Sequence, residues 1–272
     1  MSGDGADLPI CVTCGVQYAE PREDCPICLD DRQYVGWDGQ RWTTLAELRA
    51  GEHTGRIEDE GPDVVGVGVT PSFAIGQRAL LLRTAHGNVL WDCVPYLDDD
   101  MIARVRELGG ISAIAISHPH YYSTIVEWSE VFGAPVYVHA SDERWLGRRG
   151  PRIELWKGGS HELAPGLTLL NTGVHFAGGS VLHWRDAENG RGALFSGDIF
   201  QVVMDRRWVS FMRSYPNLIP ERPRVVRRAV EMVRPYAFDK VYGAWWRRIV
   251  PEDGAAAVQR SAERYLEWVA DD

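Results

Sequence analysis

Ile111-Ser-Ala-Ile-Ala-Ile-Ser117-His118-Pro-His120-Tyr-Tyr-Ser123 is the stretch on which the interpretation of this chain depends. It begins with an apolar, strand-like run and continues directly into a His-x-His pair. Because side chains two residues apart on a strand share a face, both imidazoles can point at one place. Neutral imidazole is the commonest metal ligand among side chains. The pair therefore predicts a metal site, with further ligands expected at the ends of later strand-like runs, at His175 and Asp198.

The composition is that of a globular chain. Its 272 residues are 45% hydrophobic and 25% charged, which fits one large domain with a small accessory module. We find no signal-peptide pattern and no apolar run of membrane-spanning length, so we expect a cytoplasmic protein with no membrane partner. The net charge of −9 argues against a general nucleic-acid binder. A basic groove, and with it RNA processing, stays open as a minor alternative through Arg206, Arg207, Arg222, Arg224, Arg227 and Arg228.

Hydrophobic periodicity and turn residues predict strands that first form a meander and later alternate with helices. Residues 111–138 have the pattern of a strand–helix–strand crossover. Three domains are predicted: a four-cysteine module at 1–35, with residues 1–8 disordered, a connecting segment at 36–62, and a main body at 63–272. The predicted strands are 64–69, 78–84, 88–92, 111–116, 136–138, 167–171, 179–184, 192–196 and 240–242. The predicted helices are 43–48, 100–108, 123–132, 220–234 and 251–270.

Four cysteines form two Cys-x-x-Cys pairs near the N-terminus, at Cys11, Cys14, Cys25 and Cys28. Four thiolates in two such pairs can surround one metal ion tetrahedrally. Zinc is the first choice, in a structural site without chemistry of its own, because closed four-thiolate zinc sites are structural. Iron stays open, since the pairs also resemble rubredoxin knuckles. Disulfides are disfavoured in a reducing compartment.

The main body resembles the metallo-β-lactamase-fold superfamily through motifs that follow one another in the expected order. These are Asn88-Val-Leu-Trp-Asp92, Ser117-His118-Pro-His120, Asn171-Thr-Gly-Val-His175 and Leu194-Phe-Ser-Gly-Asp198. The resemblance implies an α/β (α+β) fold, a four-layer αββα sandwich, here with a small N-terminal knuckle of four cysteines. It also implies metal ligands at His118, His120, His175 and Asp198.

This chain departs from the resembled family at three positions, all assigned to a second metal. The family's motif continues His-x-His-x-Asp-His, whereas Tyr122 and Ser123 stand here. The histidine expected after the last strand is also missing, since Lys240-Val-Tyr-Gly-Ala-Trp-Trp246 contains none. The site is therefore predicted to hold one metal, zinc or alternatively iron.

One ion with three histidines can still activate water for hydrolysis. Asp198 is expected to bind the metal or accept a proton, and Tyr122 to donate a hydrogen bond to an oxyanion. Asp92 is expected either to fix a ligand histidine or simply to cap a turn. A pocket of aromatic and cationic residues would suit a small apolar substrate bearing an anionic group. The candidates for this substrate-binding pocket are Trp208, Phe211, Arg213, Tyr215, Trp245 and Trp246. The alternative is that these aromatic residues pack beneath a long loop.

Three functions compete at this point. The leading hypothesis is a hydrolase that uses a single metal-activated water on a small ester, thioester, lactone or amide. The second is a mononuclear non-heme iron oxidoreductase, because persulfide dioxygenases of the resembled fold use one iron. The third is a metal-binding scaffold that has lost catalysis. The identity of the bound metal separates the first two hypotheses.

Overall fold

Residues 5–269 are described by the computed structural model, which divides into two compact units. The first unit comprises the residues up to 138 together with 142–155, and the second comprises 139–141 together with the residues from 156 onward. The domain boundaries predicted above stay a prediction.

Both chain ends bear on the sequence predictions. Residues 1–4, predicted to be disordered, and Ala270, predicted to be helical, lie outside the described residues. Residues 5–8 were expected to be disordered as well, and that expectation is wrong. The Gly5 carbonyl accepts hydrogen bonds from Leu8 N–H at 3.3 Å and from the buried Gln17 side chain at 2.8 Å.

The first unit is built on a seven-stranded mixed sheet with the strand order β3-β4-β5-β6-β7-β8-β9. Neighbours from β3 to β6 pair antiparallel, and β6, β7 and β8 pair parallel. The elements in chain order are β1 (Ile10–Cys11), β2 (Trp42–Thr43), α1 (Leu45–Ala50), β3 (Thr54–Gly61), β4 (Val64–Thr70), β5 (Ala79–Leu82), β6 (Val89–Trp91), α2 (Asp99–Glu107), β7 (Ala113–Ala115), α3 (Ile125–Phe132), β8 (Val136–His139) and β9 (Ile153–Trp156).

Local sequence explains where these helices begin and end. Helix α1 starts with a capping box in which Thr44 accepts from the Glu47 N–H and the Glu47 carboxylate accepts from the Thr44 N–H. Asp98 caps α2 in the same way, through the Met101 N–H. Helix α3 ends at Gly133, whose φ of 69° is a conformation that glycine adopts without steric cost.

The parallel strands place the first histidines. Because β6 and β7 run in the same direction, the residues that follow them meet at one edge of the sheet. Asp92 follows β6 at this edge, and Ser117 with His118 follows β7. The predicted crossover from β7 through α3 to β8 is therefore the element that sets the position of the His-x-His pair.

The second unit contains a six-stranded sheet with the strand order β10-β11-β12-β13-β18-β19, in which only β13 and β18 pair parallel. Helices α5 and α6 supply Val226, Val230 and Val258 to the buried apolar cluster of this unit. The elements are β10 (Ser160–Ala164), β11 (Leu167–Asn171), β12 (Ser180–Trp184), the short turn α4 (Ala187–Gly190), β13 (Ala193–Gly197), β14 (Gln201–Val202), β15 (Val209–Ser210), β16 (Met212–Ser214), β17 (Ile219–Pro220), α5 (Pro223–Val233), β18 (Lys240–Gly243), β19 (Ile249–Val250) and α6 (Gly254–Val269).

Every strand and helix predicted from the sequence is present, with described ends that differ by at most three residues. Several further strands were not predicted. The longest of them is β3, whose Thr54–Gly61 lies inside the segment predicted to be a connection. Of the residues that the structure describes, none belongs to a helix that is both long and apolar enough to cross a membrane.

Candidate functional site

Four buried side chains form a group that could hold a metal ion. His118, His120, His175 and Asp198 each offer one ligand atom, and these atoms all lie within 4.8 Å of one another. They are the four residues that the sequence predicts as ligands. Three imidazoles with one carboxylate are a donor set that suits zinc and also iron. The donor chemistry therefore fits a divalent ion, while the role of each residue stays a prediction.

His118 and His120 are presented by a short turn after β7. His118 has extended backbone angles, and a 3₁₀ turn over Pro119–Tyr121 follows it, so the two imidazole centroids lie 5.0 Å apart. The Tyr121 ring packs edge-on against the His118 ring, with the two ring centroids 4.8 Å apart. Ser117 Oγ lies 2.9 Å from His118 Nδ1. When Nδ1 donates to this hydroxyl, Nε2 is the nitrogen of His118 that could bind a metal.

Asp92 fixes the start of this turn. Its carboxylate accepts the Ser117 N–H at 2.8 Å, and its own N–H donates to the Ala115 carbonyl. Asp92 adopts a φ of 63°, which a non-glycine residue rarely does. Burial raises the pKa of this carboxyl to about 7. The hydrogen bond from the Ser117 N–H opposes this rise, because it stabilises the charged form. Asp92 thus acts on His118 through Ser117, rather than on a histidine ring directly as the sequence suggested.

His175 is held by two hydrogen bonds that the sequence did not predict. Its Nδ1 lies 2.7 Å from the Arg213 main-chain oxygen, and because a carbonyl only accepts, Nδ1 carries the proton. The main-chain N–H of His175 donates to Glu221 Oε2 at 3.0 Å. The first bond fixes the tautomer in which Nε2 is the nitrogen that could bind a metal. The φ of His175 is 65°, another left-handed non-glycine position.

The loop around His175 closes tightly on Gly179. A Cβ at position 179 would lie 2.0 Å from the Val174 carbonyl oxygen and 2.9 Å from that of Phe176. The Gly179 carbonyl in turn accepts from Gly173 N–H at 3.0 Å and Thr172 Oγ1 at 2.9 Å. Only a residue without a side chain allows this approach, so Gly179 determines the path of the chain through His175.

Asp198 follows β13 and is 4% exposed. Its main-chain oxygen accepts a hydrogen bond from the Tyr215 hydroxyl at 3.0 Å, and this hydroxyl is also 3.3 Å from the Ser210 carbonyl. Burial raises the pKa of Tyr215, so its hydroxyl stays protonated and remains a donor. Tyr215, expected to bind substrate, therefore also anchors the backbone of a candidate ligand.

Two of the three positions that the resemblance assigns to a second metal, Tyr122 and Ser123, are hydrogen-bonded to other protein groups. The Tyr122 hydroxyl donates to the Asp142 carbonyl at 3.0 Å, and Tyr122 is 2% exposed. Ser123 Oγ donates to the Cys93 carbonyl at 3.3 Å and accepts from Gln77 Nε2 at 3.2 Å. The proton that Tyr122 would offer to an oxyanion is thus given to the main chain.

The remaining substrate-binding candidates differ in their surroundings. Phe211 is fully buried against Phe200 and Tyr265, so it has no surface for a ligand. Trp208 is covered by Arg264, whose guanidinium carbon lies 3.6 Å from the ring centroid. Half-buried positions are occupied by Arg213, Trp245 and Trp246.

A second group, Cys11, Cys14, Cys25 and Cys28, also converges, with all four sulfurs within 4.8 Å of one another. The Cys11–Cys28 and Cys14–Cys25 sulfur pairs are each 3.6 Å apart, and all four thiols are free. A disulfide needs about 2.05 Å, whereas sulfurs bound tetrahedrally at about 2.3 Å to one zinc ion lie about 3.8 Å apart. The Tyr18 hydroxyl, 3.1 Å from Cys25 Sγ, and Gln40 Nε2, 3.2 Å from Cys11 Sγ, contact the sulfurs. The geometry fits a tetrahedral metal site.

Comparison with solved structures identifies the fold. The chain is similar to a protein called VMB-1 (TM-score 0.59, 11% identity, covering 81% of this chain and 100% of that one) and to the DIM-1 metallo-beta-lactamase (0.57, 15%, 80% and 100%). It is also similar to a B3 metallo-beta-lactamase with an active-site glutamic acid (0.53, 18%, 79% and 88%). With the mixed sheets and helices described above, these likenesses confirm the predicted fold class.

Sequence comparison agrees with the fold. The chain is 48% identical over 261 residues to "Uncharacterized protein YmaE" of Bacillus subtilis (strain 168), which covers 94% of this chain and 95% of the relative. A family model described as the metallo-beta-lactamase superfamily matches residues 74–245, a range that includes all four candidate ligands of the His/Asp group. The chain therefore belongs to the metallo-beta-lactamase superfamily.

Proposed function

We propose that this protein is a metal-dependent hydrolase of a small ester, thioester, lactone or amide, with one metal ion held by His118, His120, His175 and Asp198. Membership of the superfamily supports the hydrolase class. The observation on which the proposal depends is the orientation of the imidazoles. Ser117 and the Arg213 carbonyl occupy Nδ1 of His118 and His175, so both rings offer Nε2 within a buried group of four ligands.

The proposal of a single metal rests on Tyr122 and Ser123. Both side chains are hydrogen-bonded within the protein, to the Asp142 carbonyl and to Gln77 and the Cys93 carbonyl. Neither is a carboxylate or an imidazole, the groups that bind hard or borderline metals. Tyr122 and Ser123 are therefore better suited to stabilising the loop than to binding a second ion.

A divalent ion in this group supplies Lewis-acid activation of water and of a substrate carbonyl. The protein's own groups then have separate tasks. The Asp198 carboxylate, whose main chain is anchored by Tyr215, would bind the ion or accept a proton from the activated water. The Arg213 main-chain oxygen would hold His175 in one tautomer, and Ser117 Oγ would orient the His118 ring.

For the substrate, we retain Arg213, Trp245 and Trp246 as pocket residues, because these half-buried side chains keep surface for a ligand. An aromatic wall with one guanidinium suits a small apolar acid derivative. Phe211 is left out of this pocket since it has no exposed surface.

We further propose zinc at both metal sites, structural at the cysteines, and a cytoplasmic location. The clustering of four cysteines, none of them in a disulfide, supports this location, because cysteines in a reducing compartment bind metal more often than they form disulfides.

The test is metal analysis of the full chain purified without added metal, beside a His118→Ala/His120→Ala double variant. A His86→Ala variant is the control, because His86 is exposed in a turn. About two zinc ions per chain, falling to about one in the double variant together with loss of hydrolysis on a panel of activated esters, thioesters and lactones, is the expected result. Iron that is bound in the wild-type protein and lost in the double variant would favour the iron-oxidoreductase hypothesis over the hydrolase. Metal content unchanged in the double variant would refute the site.

A further inference from the structure

The four-cysteine module contacts the loop that presents His118 and His120. The segment Val16–Ala19, here called the strap, follows the first cysteine pair. Gln17 N–H donates to the Ser123 carbonyl at 3.1 Å, and Ala19 N–H donates to the Gly147 carbonyl at 3.1 Å. Ser123 lies three residues after His120. The strap is thus hydrogen-bonded to the backbone directly beyond the histidine pair.

The strap and the residues around it are tightly packed. A Cβ at Gly147 would lie 2.7 Å from a ring carbon of Tyr18 and 2.8 Å from the Gln17 carbonyl oxygen. A Cβ at Gly15 would lie 2.7 Å from a ring carbon of Pro95. Gln17 and Tyr18 are both buried. Because closely packed groups pass on displacements rather than absorbing them, a shift of the strap moves what it touches.

The path of the strap depends on the cysteine site. Cys11 N–H donates to the Val16 carbonyl at 3.0 Å, and the Tyr18 hydroxyl lies 3.1 Å from Cys25 Sγ. Four buried sulfurs at these separations suit one ion between them, and as thiolates they would repel one another and lose hydration without its charge. Metal at the cysteines therefore fixes both ends of the strap.

At the other side of the contact, Ser123 needs support from its neighbours. Its φ is 41°, a conformation that a serine keeps only when its surroundings hold it. Three bonds do so: Gln77 Nε2 to its Oγ, its Oγ to the Cys93 carbonyl, and Gln17 N–H to its carbonyl. The strap supplies the last of them.

We propose that the four-cysteine site is a positioning device for the His/Asp site: metal bound by the cysteines fixes the strap, which holds the His118–Ser123 loop and raises the affinity of the histidines for their own metal. The inference rests on the proposed function, since it takes the His/Asp site to be the active one. By thermodynamic linkage the effect is reciprocal, and couplings of this kind are typically about 5- to 150-fold in affinity.

Cobalt(II) reports the two sites separately, because thiolate-to-cobalt charge-transfer bands arise at the cysteines alone. We would titrate cobalt against a competing chelator in the full-length protein, in a Cys14→Ser/Cys25→Ser variant and in Tyr18→Phe. Tyr96→Phe is the matched control, since the Tyr96 hydroxyl bonds the His53 carbonyl at 2.7 Å, away from the strap. The expected result is a dissociation constant at the His/Asp site about 5- to 150-fold higher in the cysteine variant. A smaller increase is expected in Tyr18→Phe, and no change in Tyr96→Phe.

An unchanged constant in a folded cysteine variant would overturn the proposal. If circular dichroism shows that this variant does not fold, Tyr18→Phe decides, and a wild-type constant there refutes the coupling. Wild-type protein whose only cobalt bands are those of the thiolates would instead refute the proposed function itself. The two failures are therefore distinguishable in one titration.

Discussion

Replacing Gly179 by alanine tests whether the loop path described above creates the metal site. The added Cβ would lie 2.0 Å from the Val174 carbonyl oxygen, and real Cβ contacts essentially never fall below 3.0 Å. The carbonyl must therefore retreat by about 1 Å. Val174 directly precedes His175, so this retreat moves the ligand itself.

The expected size of the effect follows from the tolerance of metal ligands. Ligand distances hold to within about 0.2 Å, and loss of the groups that orient a ligand costs about 10- to 100-fold in metal affinity. We expect a loss of at least this size at the His/Asp site of Gly179→Ala. The overpacking itself should lower the free energy of unfolding by about 1–3 kcal/mol.

The assay is a chelator competition for metal at the His/Asp site together with thermal unfolding. Gly159→Ala is the control, because a Cβ there meets only the Met232 methyl group at 3.7 Å, an ordinary contact. A cooperative thermal transition would show that Gly179→Ala is folded. Affinity equal to that of Gly159→Ala at the His/Asp site would refute the argument from loop geometry.

Three further predictions concern single groups. Lys240→Met should lower the free energy of unfolding by about 3–5 kcal/mol, because Lys240 Nζ lies 2.6 Å from Oε2 of the buried Glu188. A denaturation midpoint equal to that of the wild-type protein would contradict this prediction. Asp92 has a pKa of about 7 in the folded protein against 3.8 ordinarily, so the folded state binds the extra proton. Its contribution to stability should fall by up to about 4 kcal/mol as pH rises from 4 to 7. Asp92→Asn should flatten that slope in pH-dependent denaturation; a slope that persists excludes Asp92 as its cause. Trp208→Ala should lower stability by about 1 kcal/mol through loss of the Arg264 contact and leave the KM of any hydrolysed ester unchanged, whereas a raised KM would restore its predicted role in substrate binding.

The fold was predictable where sequence periodicity reports burial. Strand β11 (Leu167–Asn171) and helix α6 (Gly254–Val269) place apolar residues on the faces that they bury. Strand β3 (Thr54–Gly61) was missed because Thr-Gly-Arg-Ile-Glu-Asp-Glu-Gly has charges on both faces, as an edge strand can. Its pairing with β4 comes from backbone hydrogen bonds, which leave no trace in residue type.

The candidate site also has a part that the sequence predicts and a part that it does not. His118, His120, His175 and Asp198 were recognisable because metal ligation needs particular side chains, and the structure brings these four together. The partners of His175 were not recognisable, since one of them is the main-chain oxygen of Arg213. Any residue could provide that oxygen. Glu221 left a weaker signal, as an acidic residue two positions before Pro223, the first residue of α5.

The order of the ligands along the chain has a consequence for biosynthesis. The cysteine set is complete at Cys28, whereas the His/Asp set is complete only at Asp198, 170 residues later. At about 5–20 residues per second, a ribosome needs roughly 10–30 s to cover that distance. The nascent chain can thus acquire its first ion well before its second site exists. If both proposed sites bind metal, metallation would be a sequence of two events ordered by translation, and in a cell short of the ion the cysteines would be filled first.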